Sequence, residues 1–270
     1  DPSDKQAVAL GPRIVASGGF LVLYREGMAL IESVAAYLDG EGRTESRGLN
    51  REASFLYATE SMRLTTRLMQ LASWLLLQRA VNEGEMCGLI GRNGAGKTTL
   101  LRAIMGALPA AGKVELGHID LLALPAHRRV QLGIGYMPED RRLVPEFTVE
   151  ENIRLPTWTT RADGVEARLE WIFGIMPEVA RFAARRALEL SGGQQKMVAL
   201  ARALMAGTRI LLLDEPFEGL APALARRLGE VLANLKSEGV SVLIAESNEV
   251  HVLDLLARAY RIERGVVAAA

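Results

Sequence analysis

The chain has 270 residues, 49% of them apolar, and its 32 Lys plus Arg balance 32 Asp plus Glu. That length allows one large domain or two small ones with a substantial core, and the zero net charge argues against a generic nucleic-acid surface. One cysteine, Cys87, excludes an intramolecular disulfide and a zinc site of several thiolates, and it fits a reducing compartment. The opening DPSDKQAVAL has no apolar run or small-residue cleavage site, so no secretory leader is expected. The most apolar stretch, LASWLLL at 71–77, is far too short to span a bilayer and is flanked by Arg67, Gln70, Gln78 and Arg79. Work at a membrane is therefore expected only through a partner.

In chain order, 20–38 reads as one amphipathic helix, with Phe20, Leu23, Tyr24, Met28, Ile31, Val34, Ala35 and Leu38 near 3.6-residue spacing. The polar, Gly-containing stretch 39–50 reads as a loop, and a longer helix is expected over 51–80 with Leu56, Leu64, Leu68, Leu71 and Leu75 on its apolar positions. VNEGE at 81–85 reads as a turn. From there the pattern becomes α/β. Strands are expected at 86–90, 133–137, 209–213 and 240–245, a small hairpin over 113–121, and helices at 98–106, 191–206, 222–238 and 249–257, with further helical segments up to 190. Thr148-Val-Glu-Glu151 has the spacing of a capping box. Alternating strands and helices imply a mostly parallel, covered sheet.

Three motifs carry chemistry. Gly91-Arg92-Asn93-Gly94-Ala95-Gly96-Lys97-Thr98-Thr99 fits G-x-x-x-x-G-K-[ST] between a strand and a helix. Its glycines let backbone N–H groups curl toward phosphate oxygens, and the helix that follows presents its positive end to the same anion. Lys97 supplies a cation for the β- and γ-phosphates, and the Thr98 hydroxyl can ligate Mg²⁺. ILLLDE at 210–215 reads as a buried strand ending in two carboxylates. Strand alternation would send them to opposite faces, Asp214 to hold Mg²⁺ through water and Glu215 to act as general base on an attacking water. Ser191, after Leu190 and before Gly192, Gly193 and Gln194, reads as an N-cap.

These three motifs, in this order and spacing, resemble the ATPase subunit of an ABC transporter over about 83–270. The resemblance implies a P-loop α/β fold with a helical subdomain at about 139–190, ATP and Mg²⁺ as ligands, and ATP hydrolysis coupled to transport. It implies two nucleotide-binding domains, as a homo- or heterodimer, sandwiching two ATPs, so that Ser191, Gly192, Gly193 and Gln194 touch nucleotide bound to the other chain. Transmembrane permease subunits are the expected partners, with no nucleic acid. The expected location is cytoplasmic, peripheral on the inner face of the plasma membrane. GIGYMPEDRRLVPEFTVEEN at 133–152 and EGLAP at 218–222 are similar to ATPases of branched-chain amino-acid and urea importers. In that group Glu139 would be an oxygen ligand to Mg²⁺ where most relatives have Gln. Ser247 stands where the family's switch histidine is expected and would bond a phosphate oxygen or water without bringing charge. The family's adenine-stacking aromatic and first strands have no counterpart before Gly91. Trp74 and Tyr57 lie nearby on helical spacing and read as packing residues.

The segment 18–86 is similar to the alphaproteobacterial family called the regulator of CtrA degradation, small helical bundles that aid regulated proteolysis. Two of that family's three helices are present. The chain thus divides into an adaptor-like helical segment at 1–82 and an ATPase domain at 83–270 without its usual first strands. Two helices without a third expose apolar surface, which must pack on the ATPase, on another chain, or aggregate. The hairpin near 113–121 is left with an unpaired edge. Rival readings are a protein-interaction adaptor fused to a nucleotide-binding domain with little or no turnover, and an ATPase that binds ATP weakly because adenine has no platform.

Overall fold

The computed structural model of the chain describes residues 19–64, 85–110, 114–116, 119–158, 164–207 and 209–269. Two helices open it, α1 (Gly19–Asp39) and α2 (Glu41–Ser46), and a third, α3, covers 51–64. Then come β1 (Met86–Ile90), α4 (Lys97–Met105), β2 (Glu115–Leu116), β3 (Ile119–Asp120), α5 (Ala126–Gln131) and β4 (Ile134–Met137). The helical part holds α6 (Val149–Arg154), α7 (Val165–Ile175), α8 (Pro177–Ala180) and α9 (Gly192–Ala206). The chain closes with β5 (Ile210–Asp214), α10 (Pro222–Ser237), β6 (Ser241–Glu246), β7 (Arg258–Glu263) and β8 (Val266–Ala269).

Six strands form one sheet in the order β4-β5-β6-β1-β7-β8, parallel except for β8. β1 lies between β6 and β7, every residue of it buried, as a strand covered on both faces requires. Successive side chains of the central strands serve two cores. Met86, Ile90, Leu211, Leu213, Val242 and Ile244 pack with α9, α10 and the helical part. Cys87, Leu89, Leu212, Leu243 and Ala245 pack with α4 on the other face. Parallel pairing brings the carboxyl ends of β1, β5, β6 and β7 to one edge, where crossover loops meet.

The helical segment does not stand apart. Met28 and Ile31 of α1 are buried in the same core as Leu101, Tyr260 and Val267, with Val34 packed against it. Part of the apolar stripe read in the sequence therefore closes over the α/β domain, beside β8. Ile31→Ala is expected to cost about 2–5 kcal/mol, the range for truncating a fully buried aliphatic side chain. A urea midpoint unchanged by Ile31→Ala would mean that α1 is not part of the folding unit.

Several expectations need correction. The stretch 39–50 is not all loop: α2 occupies its centre, with Tyr37 donating to Glu45 across the bend at 2.9 Å. Gly42 sits so close that an added Cβ would lie 2.6 Å from the Tyr57 hydroxyl, a contact with no signature in local polarity. Glu249–His251 is one 3₁₀ turn rather than the start of a helix to 257. Asn248 Oδ1 caps it by accepting from Val250 N–H, and Ala257 N–H already donates to Met86 O, which draws the chain into β7. The β7–β8 hairpin has no counterpart in the sequence reading. Its turn has positive φ at Arg264 and Gly265, the geometry that an Asn-Gly pair usually announces. Over 51–64 the second long helix is present, but Phe55, Leu56 and Met62 are exposed. Its continuation to 80, Trp74 and the turn at 81–84 lie outside the described residues. Among the described residues β2 and β3 pair only with each other, while Val114, Leu116 and Leu121 anchor that hairpin in the core.

Candidate active site

β1 delivers the chain to Gly91, whose N–H donates to Glu246 O at 3.0 Å. A Cβ at Gly91 would lie 2.3 Å from Ile262 O, so only glycine fits. Gly94 and Gly96 take left-handed φ of 81° and 112°, and Gly96 is the N-cap of α4. The loop is thereby bent around the start of a helix, with backbone N–H groups available to an anion. Lys97 is 4% exposed. Its Nζ donates to Gly91 O at 2.5 Å and to Arg92 O at 3.2 Å. It also stands 2.9 Å from Glu215 Oε1. That last contact is a charge contact without hydrogen-bond alignment, because Oε1 is buried with no aligned donor.

β5 ends on Asp214, fully buried. Asp214 Oδ1 accepts from the Thr98 hydroxyl at 3.1 Å and Oδ2 from the Tyr136 hydroxyl at 3.2 Å. Burial pushes the Asp214 carboxyl up, the two hydroxyls draw it back, and the neighbouring charges of Glu139 and Glu215 push it up again. Tyr136, on β4, is itself pushed up to about 12 by burial and by the Asp214 charge.

Glu215 lies beyond the end of β5 and takes a φ of 48°, strained for a side chain of this size. The left-handed residue, not strand alternation, separates the two carboxylates, which corrects the reasoning from the sequence. Its N–H donates to Ala245 O, and its Oε2 accepts from both Ser247 N–H and Ser247 Oγ, each at 3.1 Å. Although burial opposes it, the Lys97 ammonium and the donors of Ser247 hold the Glu215 carboxyl below its usual range. Ser247 therefore meets Glu215 in the structure.

Glu139 lies exposed in the turn after β4, close enough for its charge to act on Asp214. Ser191 caps α9 in a reciprocal box: Gln194 N–H donates to Ser191 Oγ at 3.3 Å and Ser191 N–H to Gln194 Oε1 at 2.9 Å. Ser191 and Gly192 are exposed, while Gly193 packs so tightly on Leu224 that a Cβ would lie 2.4 Å away. These two hydrogen bonds between Ser191 and Gln194 stay within the motif. The structure thus brings Lys97, Thr98, Asp214, Glu215 and Ser247 together and leaves the signature facing solvent.

Three residues at this centre were not anticipated. Tyr136 bonds Asp214, the buried Glu246 accepts from Phe217 N–H at 2.8 Å, and Lys196 of α9 donates to the carbonyls of Glu215 and Glu218, each at 2.5 Å. Only the motif neighbourhood could have signalled Glu246, which sits directly before Ser247. A cavity of about 730 Å³ flanks the loop, lined by residues 91–95, Ser247, Glu249, Arg261 and Arg264 among others. None of its described lining residues is aromatic.

The ABC transporter family matches residues 77–218. A family described as a protein of unknown function, DUF1465, matches residues 11–99, the segment that resembles the regulator of CtrA degradation, and the two matches overlap at 77–99. The high-affinity branched-chain amino acid transport ATP-binding protein BraG of Pseudomonas aeruginosa is 38% identical over 186 residues, covering 68% of this chain and 80% of BraG. The lipopolysaccharide export system ATP-binding protein LptB of Haemophilus influenzae is 34% identical over 192 residues, covering 70% and 80%. Among solved structures, the dimeric structure of MJ0796, a bacterial ABC transporter cassette, superposes with a TM-score of 0.61 at 28% identity, covering 68% of this chain and 83% of that one. The same cassette in a post-hydrolysis state bound to ADP and Pi gives 0.60 at 28% identity, with the same coverage.

Proposed function

This chain belongs to the ATP-binding family of ABC transporters, as an ATP-hydrolysing subunit, and from that premise we propose that it energises import of branched-chain amino acids or a related small solute. The observation that carries the hydrolytic reading is the convergence of Lys97, Thr98, Asp214 and Glu215 at the carboxyl edge of the sheet. The 38% identity to BraG and the segment around Glu139 support the import reading. Similar identity to LptB makes lipopolysaccharide export its competitor.

In this reading the loop 91–99 wraps the triphosphate with backbone N–H groups. Lys97 exchanges its contacts with Gly91 O, Arg92 O and Glu215 for the β- and γ-phosphates. Thr98 Oγ1 and the Asp214 carboxylate, already 3.1 Å apart, would hold Mg²⁺ together with Glu139, hard oxygen donors of the kind that cation takes. Mg²⁺ bound there would neutralise charge on the phosphates. Glu215, freed from Lys97 but still held by Ser247, accepts a proton from the attacking water.

The exposed signature at 191–194 would meet nucleotide on a second nucleotide-binding domain, identical or homologous. Among the described residues no helix is long and apolar enough to cross a membrane. Attachment to the inner membrane face would pass through permease subunits, with the helical subdomain at 139–190 beneath them. In this division 1–82 is the adaptor-like segment and 83–270 the ATPase domain.

The test is co-expression of the full chain with permease subunits of either type. Co-purification and several-fold stimulation of ATP turnover by branched-chain amino-acid permease subunits are expected. Stimulation by lipopolysaccharide-export permeases alone would overturn the import reading and leave the ATPase assignment intact.

A further inference from the structure

Helix α9 sends one charged side chain into the core. Lys196 is 3% exposed and is followed by the buried run Met197, Val198, Ala199 and Leu200. An ammonium taken out of water persists only where hydrogen bonds replace the solvent. Its Nζ donates to Glu215 O and to Glu218 O, each at 2.5 Å. Both acceptors are main-chain oxygens, so the ammonium holds the path of the turn after β5 rather than a side chain. Bonds from a charged donor are about twice as strong as neutral ones.

That turn is where the backbone is strained. Glu215 has a φ of 48°, and such a conformation persists only when its surroundings over-determine it. Its N–H donates to Ala245 O of β6 at 2.9 Å, and its C=O receives Lys196 from α9. Residue 215 is thus gripped at both ends from two different elements, which sets the direction of its Cα–Cβ bond. Two weaker ties complete the turn. Phe217 N–H donates to Glu246 Oε1 at 2.8 Å, and Glu218 N–H donates to Glu215 O at 3.3 Å.

We propose that Lys196 is a positioning residue for ATP hydrolysis: by holding the main-chain oxygens of Glu215 and Glu218 it keeps Glu215 in its left-handed conformation and so aims the base. The inference rests on the ATPase reading above. Lys196 acts through the backbone and leaves the Glu215 carboxylate to Lys97 and Ser247. When phosphates draw Lys97 away, the Ser247 donors and the backbone set by Lys196 are what keep the carboxylate in line. Because Lys196 lies on the helix that Ser191 caps, the base is placed relative to the element that carries the signature.

The experiment compares Lys196→Met and Lys196→Arg in the full chain, measuring kcat, KM for ATP and ATP affinity by titration. Met keeps the apolar stem and removes every N–H donor. It should lower kcat about 10–100-fold, the order that a misplaced catalytic group costs, with KM and ATP affinity within about threefold of wild type. Arg restores a cation with N–H donors of similar reach and should hold kcat within about fivefold of wild type. A Met variant within about threefold of wild-type kcat would overturn the proposal. So would an Arg variant more than about tenfold down, a result that can be read even where the Met variant does not fold. ATP affinity lost in step with kcat in both variants would mean that Lys196 only holds the fold together, and would overturn it too. Each of these outcomes leaves the ATPase reading intact, whereas no turnover in the wild type would overturn that reading and the proposal with it.

Discussion

Lys97→Ala is expected to weaken ATP binding by at least about 10–100-fold and to lower the stability of the nucleotide-free protein as well. Hydrogen bonds to charged groups contribute about 1.5–3 kcal/mol each, and about 1.4 kcal/mol is a tenfold change in affinity. In the structure the same ammonium lies 2.9 Å from Glu215 Oε1, with both side chains about 5% exposed or less. Removing one partner of a buried ion pair leaves the other charge uncompensated, typically at about 3–5 kcal/mol. Here the loss should be smaller, about 1–3 kcal/mol, because Ser247 donates twice to Glu215. The two roles separate in a double-mutant cycle. Adding Glu215→Gln to Lys97→Ala should restore most of the lost stability, since no charge is then stranded, and none of the lost ATP affinity. Urea unfolding and nucleotide titration on the four proteins read both quantities. Recovery of affinity in the double variant would mean that Lys97 acts through Glu215 rather than on phosphate.

What the sequence displayed and what it concealed follow from the range of the interactions. The loop 91–99 and the cap at Ser191 are local patterns, and their geometry is set within a few residues. The central strands β1, β5 and β6 are buried on both faces, so they read as continuous apolar runs. The pairing of Tyr136 with Asp214 and of Ser247 with Glu215 joins residues far apart in the chain, which no local pattern reports. The turn at Arg264 and Gly265 escaped because arginine is an unusual residue at positive φ. The resemblance has Ser247 facing nucleotide or water, whereas in the structure both of its donors go to Glu215. Among the described residues, the cavity beside the loop is lined by Arg92, Arg261 and Arg264 and by no aromatic ring. For the helical segment, periodicity identified α1 as amphipathic. Only the fold shows that Met28 and Ile31 face the ATPase core while Phe55, Leu56 and Met62 of α3 face solvent.

Glu215→Gln should abolish turnover and leave ATP binding as tight as wild type or tighter. Removing a positioned general base typically lowers the rate about 10²–10⁴-fold. The substitution is nearly isosteric, and Gln can still accept both Ser247 donors on its amide oxygen. Its amide nitrogen then faces Lys97 Nζ, donor against donor, across the space where Glu215 Oε1 now stands 2.9 Å away. That conflict exists only while Lys97 lies against residue 215. Phosphate binding draws Lys97 off and relieves it, so the variant loses a competing contact that wild type must break. ATP affinity should therefore rise by a few-fold, in contrast to Lys97→Ala at the other end of the same ion pair. With hydrolysis stopped, ATP stays bound and the paired state that exposes the 191–194 signature to a second nucleotide should persist. Size-exclusion chromatography of the variant with ATP and Mg²⁺ should show a dimer that wild type holds only transiently. Turnover within tenfold of wild type would place the base elsewhere. A drop in ATP affinity would mean that the Lys97–Glu215 contact helps build the phosphate site rather than competing with it.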